Sequence, residues 1–245
     1  MRTYVLANLK GGVGKTTSTV NLAYSLSELR KRVLVIDTDP QTNLTPFFTK
    51  ADPSGKSIRD VLRHPEHMKS CIYKSKYPLI DVIKGDVRLR EDDAAEPDCL
   101  KRALEQVEDR YDICLIDTRP AFEKITLNAI HAADVMLVPV YLDKFCRDNL
   151  LLVEDQISRI NTHDREEEHS LPWFIFVNKI ENKRVQKKIY QDMASQHSWP
   201  FLNTCVTKGA VAENALNLYK PLWRHRRSSR VTQDYMELAK EILEV

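Results

Sequence analysis

Apolar residues along the chain fall into short unbroken runs, separated by longer stretches with helical spacing. Seven runs predict strands, over residues 4–8, 33–37, 79–83, 112–117, 135–138, 173–178 and 201–205. Most are continuous rather than alternating, the pattern of strands covered on both faces. The gaps predict helices over 15–30, 97–109, 122–132, 147–160, 183–197, 210–218 and 232–243. Alternation of this kind predicts an α/β fold: a mainly parallel, twisted sheet of about seven or eight strands with helices on both faces. No repeat, low-complexity tract or linker interrupts it, so residues 1–245 are expected to form a single domain. The least regular part, 49–76, reads as a short helical insertion, and the charged stretch 163–170 as an exposed loop.

Composition narrows the setting. No apolar run approaches the roughly 20 residues of a membrane span, and Met1-Arg2-Thr3 leads straight into a strand rather than a signal peptide. A cytoplasmic protein with no membrane role is expected. Five scattered cysteines, an odd number without a metal or redox spacing, read as free thiols. The net charge of +2 hides an asymmetry, since residues 171–230 carry 11 Lys or Arg against 3 Asp or Glu. A basic region on an otherwise acidic chain suggests a surface for a polyanion, with a merely solvated face as the alternative.

Three of the six glycines sit in one loop, Lys10-Gly11-Gly12-Val13-Gly14-Lys15-Thr16-Thr17, between a predicted strand and a predicted helix. Glycines let backbone N–H groups turn inward around phosphate oxygens, and the helix N-terminus adds partial positive charge. Lys15 is placed to reach the β- and γ-phosphates, and the Thr16 hydroxyl to hold Mg²⁺. The common G-x-x-x-x-G-K-[ST] spacing is not met in full: Leu9 stands at its first glycine, and an extra lysine, Lys10, precedes the double glycine.

Two strands end in acids: Val33-Leu34-Val35-Ile36-Asp37-Thr38-Asp39, and the run from Asp112 to Asp117. In open α/β sheets the strand C-termini face the ligand crevice, so both clusters would meet the phosphates there. One carboxylate can hold Mg²⁺ and another can orient the attacking water. Acidic N-caps for the following helices are the plain alternative.

Taken together these motifs resemble the ParA/MinD/Soj ATPases. The loop from Lys10 to Thr17 resembles their deviant Walker A motif. Asp37-Thr-Asp-Pro-Gln-Thr-Asn43 resembles their second motif, and Tyr111-Asp-Ile-Cys-Leu-Ile-Asp-Thr118 their Walker B strand. The segments 128–139 and 235–242 resemble the family's later helix and strand and its closing helix, so the likeness spans nearly the whole chain. The resemblance implies an ATPase using ATP and Mg²⁺. Lys10 would be the signature lysine that crosses to the partner's nucleotide in an ATP-sandwiched homodimer. Lys15 would be the ordinary phosphate-loop lysine, Thr16 the Mg²⁺ ligand, Thr17 a contact to the α-phosphate, Asp39 the residue that positions water, and Asp117 an acid acting on Mg²⁺ through water. Asn178, the last residue of the predicted strand 173–178, would contact adenine, although Asn178-Lys179-Ile180-Glu181 also comes near the guanine motif of GTPases.

Two departures stand out. Arg119 occupies a position where the family usually has proline, and is expected to be exposed, with contact to phosphate or to a partner as the alternatives. Val206-Thr207-Lys208 replaces an Ile-Pro-Arg near the base pocket. Two basic clusters are candidates for nonspecific DNA binding: Lys183, Arg184, Lys187 and Lys188 on one predicted helical face, and Arg224, Arg226, Arg227 and Arg230 ahead of the last helix. The acidic C-terminal helix argues against MinD-like membrane docking, and no helix-turn-helix precedes the first strand. The implied job is partition of DNA in association with the nucleoid, with a ParB-like protein stimulating hydrolysis. Positioning of a protein assembly, or a nucleotide-switched adaptor with negligible turnover, are the alternatives.

Overall fold

In a computed structural model, residues 1–50, 52, 54–163 and 170–245 are described. The expected loop over 163–170 lies outside these residues except for its two ends. Strand β1 (Arg2–Leu6) leads through the glycine loop into α1 (Lys15–Glu28), which returns the chain to β2 (Val33–Asp37). There follow α2 (Thr45–Phe48), α3 (Ile58–Arg63), a 3₁₀ turn over Pro65–Cys71, β3 (Ile72–Lys74) and β4 (Ile80–Ile83). A second 3₁₀ turn (Glu91–Asp93) precedes α4 (Cys99–Glu105), β5 (Ile113–Asp117), α5 (Lys124–His131) and β6 (Val135–Val140). Last come α6 (Cys146–His163), β7 (Trp173–Val177), α7 (Arg184–Gln196), α8 (Ala210–Asn217), α9 (Leu222–Arg226) and α10 (Arg230–Glu241).

The sheet has seven strands in the order β3-β4-β2-β5-β1-β6-β7. All neighbours run parallel except β3, which pairs antiparallel with β4 at the edge. Alternate side chains of the unbroken apolar strands enter two separate cores. Val5, Leu34, Ile36 and Ile116 pack with α3 to α7, while Tyr4, Leu6, Val35 and Leu115 pack with α1, α2 and α8 to α10. The Tyr4 hydroxyl donates to the Ile242 carbonyl at 2.7 Å, fastening the end of the last helix to the first strand. All five cysteines are free thiols, four of them buried.

Two expectations need correction. The run 201–205 is not a strand but pairs only through isolated bridges, Phe201 with Ile175 and, just beyond it, Thr207 with Ile180. Pro200 has no N–H to give a ladder, and the Glu241 carboxylate takes the N–H groups of Asn203 (2.6 Å) and Thr204 (2.8 Å) instead. Strand β3 went unpredicted because its three residues, Ile-Tyr-Lys, are too few to show a period. The insertion at 49–76 does carry a short helix, α3, capped by a reciprocal Ser57–Asp60 pair.

Candidate functional site

The glycine loop lies at the C-terminal ends of the strands, where β1 and β2 are parted by β5. Gly14 caps α1 with φ 98° and Gly12 has φ 75°, both in the left-handed region that a side chain strains to adopt. A Cβ on Gly14 would lie 2.2 Å from Asn178 Nδ2, so glycine is needed for space as well as for backbone shape. Lys15 is buried, and its Nζ donates to the carbonyls of Asn8 (3.0 Å) and Lys10 (3.3 Å). The lysine thus spans the loop that it leaves. Burial lowers its pKa, while Asp117 and Asp39 pull it back up.

The acids converge as the strand ends require. Asp37 and Asp117 are register partners on β2 and β5, and both are fully buried. Asp117 accepts from the Thr16 hydroxyl (2.7 Å) and the Thr19 hydroxyl (3.3 Å). Burial, and then the neighbouring Asp37, push its carboxyl up to about 8. Asp37 is pushed up to about 6 by burial, against the stabilising N–H (2.9 Å) and hydroxyl (2.7 Å) of Thr45. Asp39 is more open: its Oδ1 accepts the Gln41 N–H at 2.9 Å, and its carbonyl closes a turn with Thr42. Hard oxygen donors set beside each other, with two acids that burial keeps from sharing negative charge, suit Mg²⁺, which would take up that charge.

The sequence profile of the AAA domain matches residues 1–170. The virulence plasmid ParA family protein pGP5-D of Chlamydia psittaci is 27% identical across 99% of this chain and 94% of its own length. The sporulation initiation inhibitor protein Soj of Bacillus subtilis (strain 168) is 27% identical across 97% of this chain and 96% of its own. The chain belongs to the ParA/Soj family of P-loop ATPases. Its fold is shared with the ATP complex of Cyanothece McdA, with a TM-score of 0.86 at 21% identity over 100% of this chain and 97% of the other.

In this ParA/Soj chain Lys10, the lysine ahead of the double glycine, is held by a residue of the same chain. Its Nζ pairs with Asp143, just ahead of α6, and lies 5.9 Å from the exposed Phe145 ring. Asn8 fixes the backbone there: its Oδ1 accepts from Lys10 N–H (2.9 Å) and Asn149 Nδ2 (2.7 Å), and its Nδ2 donates to the Pro139 carbonyl. No motif in the sequence pointed to Asp143 or Asn149, because their role arises only where α6 begins beside the loop.

Asn178 was expected to offer its amide to a base. In the structure Nδ2 donates to the Val13 carbonyl (2.8 Å) and Oδ1 accepts the Lys179 N–H (2.9 Å). The amide braces the glycine loop from behind. Lys179, with φ 56°, reaches over to donate to the Gly12 carbonyl at 2.9 Å. Beside them lies a cavity of about 280 Å³, walled by Gly12, Thr17, Tyr141, Thr207, Lys208 and Tyr235 among others. Asp234 holds Thr207 in that wall by accepting its N–H (2.9 Å) and hydroxyl (2.6 Å), so a carboxylate fixes the backbone where the family's proline is missing.

Arg119 is not the exposed side chain expected. It is 22% exposed and pairs with Glu91 and Glu123. The basic residues are exposed as foreseen, but they do not form one face. Helix α7, with Arg184, Lys187 and Lys188 and with Lys183 at its N-cap, packs Met193 into the first core. Arg224 and Arg226 lie on α9, Arg227 at its C-cap and Arg230 at the start of α10, and both helices pack into the second core on the other side of the sheet. Arg227 lies 4.5 Å from the Trp223 ring, and Arg230 Nε pairs with the buried Asp234 at 2.7 Å. Among the described residues no helix is long and apolar enough to cross a membrane.

Proposed function

We propose that this chain is a DNA-partition ATPase that binds ATP with Mg²⁺, dimerises around it, and holds DNA without sequence preference until a ParB-like partner stimulates hydrolysis. One observation carries the reading. Lys15, Thr16, Asp39 and Asp117 come from three separate segments and converge around a glycine loop that enters α1 through Gly14 at its N-cap.

The residues divide the work. The backbone from Gly11 to Gly14 wraps the phosphates, with Val13 buried behind them and Thr17 at the α-phosphate. Lys15 faces the β- and γ-phosphates; its burial makes it a strong electrostatic partner. The Thr16 hydroxyl and the Asp117 carboxylate would hold Mg²⁺, Asp117 through water, and the ion supplies charge neutralisation across the phosphate oxygens. Asp39, the most open acid of the group, orients the attacking water. Lys10 leaves Asp143 and crosses to the partner's nucleotide. The cavity beside Tyr235 takes the base, and its walls act whether or not the Asn178 amide turns to face it. The chain works as one ATPase unit of 245 residues in the cytoplasm, associated with the nucleoid.

For DNA, the two basic faces are separate candidates. The α9–α10 face has a cation stacked on an aromatic ring and one anchored by a buried carboxylate, which fixes two guanidinium groups for phosphate contacts. The test is ATP-dependent retention of duplex DNA at two salt concentrations, comparing wild type with Arg227→Glu and Lys187→Glu. Loss with Arg227→Glu alone assigns the α9–α10 face. Retention indifferent to both changes ends the DNA reading and leaves positioning of a protein assembly as the function. Competition between ATP and GTP for the cavity tests the base.

A further inference from the structure

Arg119 follows Asp117 and Thr118 at the end of β5, beside the phosphate loop. The Thr118 hydroxyl donates to the Leu6 carbonyl at 2.8 Å, and Pro120 Cγ lies 4.0 Å from the place of a Cβ on Gly11. A guanidinium starting between these two residues has the loop within its reach. In the structure it is turned aside. Its Nη2 lies 2.7 Å from Glu91 Oε1 and also pairs with Glu123. The arrangement leaves the fork incomplete: Arg119 Nε is buried without a hydrogen-bond partner, and the contact of Nη2 with Glu91 Oε1 is an ion pair without hydrogen-bond alignment. A guanidinium binds an anion best with two parallel N–H donors, and here a single nitrogen serves both carboxylates while Nε is idle.

We propose that Arg119 is a second phosphate-directed cation, held in reserve by Glu91 and Glu123, which joins Lys10 and Lys15 at the γ-phosphate when those carboxylates let go. The proposal rests on the ATPase reading above. As water attacks the γ-phosphorus, the bond to the bridging oxygen breaks and its electron pair leaves with ADP. The proton lost by water passes out through the solvent or the phosphate product. Negative charge on the bridging and equatorial oxygens is what a freed Arg119 meets, and Nε then has the partner that it lacks. The two carboxylates hold it differently. Glu91 is fixed, because its other oxygen accepts the Ile125 N–H at the start of α5 (3.1 Å). Glu123, at the N-cap position of α5, is 59% exposed and so within reach of a docking partner. A partner cation that draws Glu123 away weakens the hold, which gives stimulated hydrolysis a physical route.

The experiment measures kcat and KM for ATP in wild type, Glu91→Gln, Glu123→Gln and the double variant, each with and without Arg119→Ala. Glutamine at 91 keeps an oxygen for the Ile125 N–H, so α5 keeps its start. The double variant is expected to raise kcat about tenfold by shifting Arg119 to its released position, with KM little changed. Arg119→Ala is expected to cancel that gain and to lower kcat below wild type. Affinity for ADP with aluminium fluoride should follow the same order, whereas affinity for ADP alone should not. A gain that survives Arg119→Ala, or a double variant no faster than wild type, overturns this proposal alone. Absence of hydrolysis in every protein, with MgATP still bound, overturns the ATPase reading along with it.

Discussion

In the phosphate crevice, charged groups are buried and shared; on the basic faces they are exposed and separate. Lys15 alone meets two carbonyls and the fields of two acids, and Asp117 meets two hydroxyls and a second carboxylate. Lys187, Lys188 and Arg226 stand in solvent on helix surfaces. The difference sets how function responds to change. In a region sheltered from water, one atom's loss leaves its neighbours uncompensated, so effects are steep and non-additive. On an open face each cation contributes a small, salt-screened share, so effects are graded and additive.

Four measurements would break or sharpen that contrast. The steepest is Lys15→Ala, which should reduce ATP turnover by roughly 10³-fold if Lys15 is the preorganised cation proposed for the γ-phosphate. A drop of only a few-fold would mean that the crevice is not the reaction site. Asp39→Ala comes next. Turnover should fall about 10²-fold while binding of MgATP, read by equilibrium dialysis, stays within about threefold, if Asp39 acts on water rather than on the nucleotide as proposed. Equal loss of binding would make Asp39 a structural acid instead. On the basic side, Arg226→Ala should weaken DNA retention only a few-fold at low salt. It should also flatten the log K against log[salt] slope by about 0.9, since one fewer phosphate is neutralised. An abolished interaction would show that this face too is cooperative.

The smallest effect is on stability against pH. Asp37 and Asp117 bind their protons more tightly folded than unfolded, at about 6 and about 8. Their contribution is therefore complete below the unfolded carboxyl value near ~4, and is lost as pH rises through those two values. The melting temperature of the protein without nucleotide should slip by a few degrees between about pH 5 and pH 8. Asp117→Asn should flatten the upper part of that slope, and MgATP should offset it in wild type. A melting temperature that rises over the same interval would contradict the crowding of these two acids.

Much of this arrangement was legible in the sequence, for a physical reason. A parallel strand buried on both faces must be an unbroken apolar run, so β1, β2, β5, β6 and β7 announced themselves, and their ends placed Asp37, Asp39 and Asp117 in the crevice. The glycine loop was legible because few other residues tolerate its backbone. What escaped were features made by tertiary neighbours. Glu241 steals two amides and dissolves a strand after Pro200. Asp143 claims Lys10 from another segment. Glu91 and Glu123 pull Arg119 out of solvent, where its isolated departure from a family pattern suggested exposure. Asn178 sits where expected, but its amide is spent on the loop. How the two basic clusters lie relative to each other was not legible either, because the alternation of strand side chains sends their helices to opposite sides of the sheet.

Gly14 has a consequence for how the molecule is made. The loop takes its shape against Asn178, a residue that follows Val13 by 165 positions at the end of β7, with so little room that one methyl group would collide. While the chain is still emerging from a ribosome, its first strand and helix can form, but the brace behind the loop has not yet been synthesised. The loop is therefore expected to settle into this shape only after β7 and Asn178 have emerged.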